Sequence, residues 1–155
     1  MIAAVIPAYN EEDSIGHVLD ALAHLFTLDT VIPVLNGCTD HTLQVVLQHA
    51  LANRVALIEY PLPLGIDVPR SWGAKCAFAL GAQAVLFVDG DFRGDFSSCL
   101  QDLLCAVVHK DCDLALTNCY PYIGYRSETA KAVLYYREQL NRKLGLFSSV
   151  GLATP

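Results

Sequence analysis

Ala84-Val85-Leu86-Phe87-Val88-Asp89-Gly90-Asp91-Phe92 sets two acids one residue apart at the end of an unbroken apolar run. A short apolar run with polar boundaries predicts a parallel strand buried on both faces. Strand side chains alternate between faces, so Asp89 and Asp91 are expected on one face at the carboxyl end, with Gly90 opening the backbone between them to a ligand. Paired carboxylates suit Mg2+ or Mn2+ bridged to a diphosphate, because hard cations take oxygen ligands and leave positions for phosphate. An Asp-Gly turn that only closes the strand accounts for the same residues.

Working outward, strand and helix patterns alternate from residue 2. Residues 2–8 read as a strand, after which Asp13 or Ser14 caps a helix whose Ile15, Val18, Leu19, Leu22 and Leu25 or Phe26 follow the helical period. Residues 30–35 read as a second strand, Asn36-Gly37 as a turn, and Thr39 or Asp40 as the cap of a helix striped by Leu43, Val46, Leu47, Ala50 and Leu51. A third strand is expected over 54–60, a proline-rich loop over 61–69, and a helix from Pro69 or Arg70 to Leu80, stopped by Gly81. Beyond the central run come a helix near 96–109, a fifth strand at 114–117, and a helix over 127–144 closed by Gly145.

This alternation predicts an α/β fold with a mostly parallel, Rossmann-like sheet and helices on both faces. Ligands of such sheets bind at the carboxyl ends of the strands. Three polar loops meet there: Tyr9-Asn10-Glu11, residues 36–40 and residues 89–91. No G-x-G-x-x-G follows the first strand, which argues against a dinucleotide-binding domain.

The 155 residues fit one domain, and 54% hydrophobic with 17% charged residues excludes a disordered chain. A net charge of -6 argues against binding nucleic acid through a basic surface. Charge is uneven: residues 126–143 hold five basic and two acidic residues, which makes either a solvated helix face or a contact for an anionic partner or membrane. The six cysteines form no Cys-x-x-Cys pair and read as buried free thiols of a reducing compartment. The amino terminus lacks the basic region of a signal peptide, and no apolar run reaches about 18 residues. The expectation is a cytoplasmic protein, at most peripheral on a membrane.

Four pieces, in order and spacing, carry a resemblance: Val5-Ile6-Pro7-Ala8-Tyr9-Asn10-Glu11-Glu12, Leu35-Asn36-Gly37-Cys38-Thr39-Asp40-His41-Thr42, Arg70-Ser71-Trp72-Gly73 and Phe87-Val88-Asp89-Gly90-Asp91. Over residues 2–95 the chain resembles the donor-binding part of a family 2 glycosyltransferase with the GT-A, nucleotide-diphospho-sugar transferase fold. The resemblance implies a single GT-A-like domain over 1–155, with 1–95 binding a nucleotide-diphosphate sugar and 96–155 forming a partial acceptor-side half. It implies that Pro7, Ala8 and Tyr9 hold the nucleoside, with the tyrosine ring stacked on the base. Asn36 stands where the family usually has an aspartate that reads the base; an amide pairs with uracil, which favours a UDP-sugar. Glu11 meets ribose hydroxyls or sits at the first helix for its dipole. Arg70 faces the diphosphate, Asp91 holds the Mn2+ or Mg2+, and Asp89, beside Gly90, meets ribose or metal.

The same resemblance marks departures. Gly65-Ile66-Asp67 lacks the family's common Gly-Lys-Gly, and Cys38 replaces a serine. A general base from after the fifth strand is not identified: Asp95, Asp111 and Asp113 read more simply as cap or loop residues. The family's enzymes run longer, so the chain is expected to bind donor without efficient transfer, and Val133, Leu134 and Leu140 of the last helix to lie partly exposed or to pair with another chain, a second copy included. The sugar, the acceptor and the stereochemical outcome stay open. A non-catalytic nucleotide-sugar-binding or regulatory domain is the alternative. A sugar-phosphate nucleotidyltransferase is disfavoured, because Pro7-Ala8-Tyr9-Asn10-Glu11 has neither glycine nor basic residue to cradle a triphosphate.

Overall fold

The computed structural model describes residues 1–109 and 112–115, together with Tyr135, Tyr136, Gln139 and Lys143. The chain separates into two compact units, Met1–Asp111 and Cys112–Pro155. Every element named below lies in the first unit, so the helix that follows residue 95 belongs with the strands that precede it. The expected strand at 114–117 falls partly outside the described residues, and Leu114 and Ala115 belong to no element. Of the expected helix over 127–144, the four described residues are helical. Val133, Leu134 and Leu140 lie outside the described residues.

Unbroken apolar sequence makes β1 (Ile2–Ala8) the spine of a parallel sheet. It lies between β2 (Thr30–Asn36) and β4 (Ala84–Phe87), and β3 (Ile58–Tyr60) flanks β2, giving the order β3-β2-β1-β4. Alternation along β1 feeds two cores. Ala4, Ile6 and Ala8 pack with α1 (Ile15–Ala23) and α4 (Ser97–Val108), whereas Ala3 and Val5 join Ile32, Val34 and Ala77 of α3 (Asp67–Ala79) on the opposite face. Ile15, Val18, Leu19 and Leu22 of α1 are wholly buried, each side chain contributing about 1.5–3 kcal/mol relative to exposure. This is the α/β architecture the alternation implies, with helices covering both faces of the sheet.

Four boundaries differ from the sequence expectation. The central run supplies only four strand residues, and among the described strands β4 pairs with β1 alone, leaving Phe87 49% exposed rather than buried on both faces. The third strand is short because Ala52–Arg54 coil into a 3-10 turn and Val55 makes one isolated bridge to Val31. Helix α2 (Thr42–Gln48) ends early, so Ala50 lies beyond it, and Leu47 within it turns to solvent. Helix α3 starts at Asp67, an acid favoured in a first turn by the helix dipole, and takes Pro69 into that turn, where a missing N–H costs nothing. Of Leu25 and Phe26, Leu25 is the buried one.

Helix α3 lies flush on the sheet at Gly73, where an added Cβ would come within 2.3 Å of Val5 Cγ1 and 3.2 Å of Val34 Cγ2. The described cysteines are free thiols, and Cys99 is exposed rather than buried. No helix among the described residues is long and apolar enough to cross a membrane.

Candidate functional site

The parallel register brings the ends of β1 and β2 together, with Ala8 opposite Leu35. The loops that leave them are laced by backbone-to-side-chain bonds. Thr39 N donates to Asn10 Oδ1 at 2.8 Å, Glu11 N to Thr42 Oγ1 at 2.8 Å, Glu12 N to Asp40 Oδ2 at 3.1 Å, and His41 N to Glu12 Oε2 at 2.8 Å. His41 Nδ1 lies 2.9 Å from the same Glu12 oxygen. Asn10 holds a left-handed backbone, φ 56°, which asparagine tolerates better than most residues.

Asp40 caps α2 chemically, its Oδ1 accepting from Thr42 N at 3.0 Å and from Thr42 Oγ1 at 2.5 Å. Burial acts to raise its pKa, but the Thr42 hydroxyl and the backbone donors outweigh it and hold the carboxyl below its ordinary value. Ser14, the other expected cap, instead donates its hydroxyl to Glu11 Oε2 at 2.6 Å. Glu11 thus touches the start of α1 with one carboxylate oxygen.

The remaining site residues of the sequence analysis gather on the same edge. Tyr9 is 52% exposed and follows the buried Ala8 and half-buried Pro7. Gly90 lies against their backbone: its N–H donates to Pro7 O at 3.3 Å, and a Cβ there would stand 3.2 Å from that oxygen. Asp89 and Asp91 lie beyond β4 in a turn, Phe92 N donating to Asp89 O at 3.4 Å, so strand alternation does not govern them. The turn separates their surroundings. Asp89 meets Arg70 at 2.6 Å, whereas no hydrogen bond or ion pair to the exposed Asp91 carboxylate exists among the described residues. Asn36 is 8% exposed and bonds the backbone of Leu64 and Gly65.

Among the described residues no group of three His, Cys, Asp or Glu side chains converges on a cation position. Two neighbouring carboxylates, one ion-paired and one open, do not make a stand-alone metal site. They fit a hard cation whose other ligands come from a diphosphate and water. Asp95 behaves as a cap, its Oδ1 accepting from Ser97 N at 3.3 Å. It also lines a groove of about 510 Å³ beside α1, with His17, His24 and Arg93. Asp113 is exposed, and Asp111 lies outside the described residues. Lys75 sits 4.6 Å over the Trp72 ring on α3.

The lacing residues Asn10, Glu12, Thr39, Asp40 and Thr42 were not singled out as partners by sequence reasoning. Their signal is the density of Asn, Asp and Thr in two strand-end loops, but which residue meets which depends on strand register.

Residues 3–152 match the family model described as Glycosyl transferase family 2. Among solved structures, S. aureus TarS is 29% identical with a TM-score of 0.51, over 58% of this chain and 16% of that one. S. aureus TarS 1-349 in complex with UDP is 25% identical with a TM-score of 0.59, covering 71% of this chain and 32% of that chain. Its complex with UDP-GlcNAc gives 25% and 0.58 over the same shares. Glucosyl-3-phosphoglycerate synthase from Mycobacterium tuberculosis in complex with UDP shares the fold, with 20% identity and a TM-score of 0.63 over 97% of this chain and 55% of that chain. The chain therefore spans between about a sixth and about half of the length of these structures. No curated protein matches it.

Proposed function

The chain belongs to glycosyl transferase family 2, and from that premise we propose that its strand-end crevice binds a UDP-sugar, with a divalent cation, for transfer of the sugar to an acceptor hydroxyl. The observation that carries this reading is the convergence of Tyr9, Arg70, Asp89 and Asp91 on one sheet edge, with Arg70 and Asp89 already 2.6 Å apart. Binding of UDP and UDP-GlcNAc by the related TarS 1-349 supports the choice of base.

In this reading the exposed Tyr9 ring stacks on the base, a contact that any base accepts and that adds affinity more than selectivity. The Arg70 guanidinium has donors beyond the one facing Asp89 and presents them to diphosphate oxygens, orienting the leaving group. The acceptor hydroxyl oxygen forms a bond to the anomeric carbon and gives its proton to a general base, and the bond to the nucleoside diphosphate breaks with the diphosphate taking the electron pair. Asp91 and Asp89 would hold Mn2+ or Mg2+, which when bound offsets the charge that develops on the leaving diphosphate. The described residues of the crevice serve the donor side of this reaction.

A thermal-shift panel of UDP-, GDP-, ADP- and dTDP-sugars with and without Mn2+ tests the proposal. A ligand at about 100 times its Kd adds roughly 2.7 kcal/mol of stability. The expected result is a UDP-sugar shift that grows with Mn2+, while no shift with any nucleotide sugar would overturn the assignment. Donor binding without transfer to any sugar acceptor, measured by donor turnover, would favour the non-catalytic binding domain instead.

A further inference from the structure

Asn36 ends β2 with both halves of its amide engaged by one loop: Nδ2 donates to Gly65 O at 3.0 Å, and Oδ1 accepts from Leu64 N at 2.8 Å. The next residue adds a second point of attachment. Gly37 has φ 77°, and a Cβ there would lie 2.5 Å from Pro63 N and 2.7 Å from Leu62 C. Gly37 N also donates to Tyr60 O at 3.0 Å. The loop crosses the end of β2 so closely that a side chain at 37 has no room.

The chemistry of the two contacts explains the residue type. A carboxylate at 36 accepts from Leu64 N but sets a negative charge against Gly65 O. An alanine leaves a backbone donor and a backbone acceptor of the loop without their side-chain partner. Only an amide satisfies both groups.

We infer that Asn36 is a positioning residue: it fastens residues 61–65 across the end of β2, so that the loop backbone and Tyr9, not the Asn36 amide, meet the nucleotide base. This rests on the reading of the crevice as a nucleoside-diphosphate site. Base discrimination then belongs to the shape of the fastened loop, which is why an amide stands at a position where direct reading by a carboxylate is otherwise expected.

The test compares the parent chain with Asn36→Asp and Asn36→Ala. UDP, CDP, GDP and ADP are titrated by calorimetry, and hydrogen exchange at the Leu64 amide is followed by NMR without nucleotide. The expected result is faster Leu64 exchange in Asn36→Ala. Every nucleotide that binds the parent should weaken by roughly threefold to tenfold, the value of a lost hydrogen bond, with ratios between bases kept within about twofold. A change confined to one base, with Leu64 exchange as in the parent, shows direct base reading and overturns the inference.

Leu64→Pro cuts one of the same bonds without altering residue 36, and serves if the Asn36 variants do not fold. It should reproduce the uniform weakening, and undiminished affinity would count against the inference. A parent chain that binds none of the four nucleotides overturns the nucleotide reading itself. That failure is distinguishable, because the Leu64 exchange is measured in the absence of ligand.

Discussion

Arg70 Nη2 lies 2.6 Å from Asp89 Oδ1, joining the first turn of α3 to the loop that leaves β4. The two side chains are 28% and 32% exposed. A pair this wet contributes on the order of 0–1 kcal/mol to stability. Its value lies in position: it holds a guanidinium beside a carboxylate at the edge where the loops converge, with further N–H donors left for a ligand.

Arg70→Ala should therefore separate binding from stability. UDP-sugar affinity measured by calorimetry is expected to fall roughly tenfold or more, as for loss of a charge-assisted hydrogen bond. The melting temperature should move little. A large loss of melting temperature with unchanged affinity would make the pair a structural clasp.

Asp91→Asn addresses the cation. The open carboxylate makes no intrachain bond among the described residues, so its neutralisation should leave the fold intact and remove most of the Mn2+-dependent gain in UDP-sugar affinity. Titration with and without Mn2+ measures that gain, and an undiminished gain would place the cation elsewhere.

Tyr9→Ala should cost roughly 1–3 kcal/mol of nucleotide binding, the usual worth of a stacked base. UDP is expected to bind better than GDP in the parent chain. Tighter binding of GDP by calorimetry would assign the donor to guanosine.

Much of the scaffold was legible because burial alone sets it. Ile2–Ala8 is apolar throughout and forms β1 in full, and the 3.6-residue stripe of α1 lands in the core residue by residue. The end of β4 was not legible: Val88 continues the apolar run, but the chain then turns at Asp89–Phe92, with Gly90 seated against Pro7 and Ala8. The role of Asn36 was hidden for a related reason. Its partners Leu64 and Gly65 lie 28 and 29 positions away, and only the folded loop brings them to it. Residue type announced a polar site, whereas tertiary register decided which polar groups remain free for a ligand.

Gly73→Ala should destabilise by roughly 1–3 kcal/mol, the range for overpacking a tight interface, because the new methyl meets Val5 Cγ1 at 2.3 Å. Chemical denaturation measures this. Arg70 is one helical turn away, so nucleotide affinity should fall as well; unchanged stability would mean that α3 has room to shift on the sheet.

Asp40→Ala carries a pH signature. The folded carboxyl titrates below its ordinary value of 3.8, so its stabilisation is complete above that pH and is lost as pH falls through the lower folded value. The variant should be less stable than the parent by about 0.5–2 kcal/mol at pH 7, as for loss of a helix cap. The gap should shrink in acid below pH 3.8. Denaturation at pH 7 and in that acid range checks it, and a gap independent of pH would assign the loss to packing.

The lacing of the first two strand-end loops joins residues 28 to 31 positions apart. Those bonds need the ends of β1 and β2 side by side, so the crevice is a product of assembly rather than a property of either loop. On the proposed function, a nucleotide sugar recognises only chains that have completed that assembly. It should act as a folding ligand, raising the yield of refolding from denaturant by drawing the closed unit out of the population of incomplete chains.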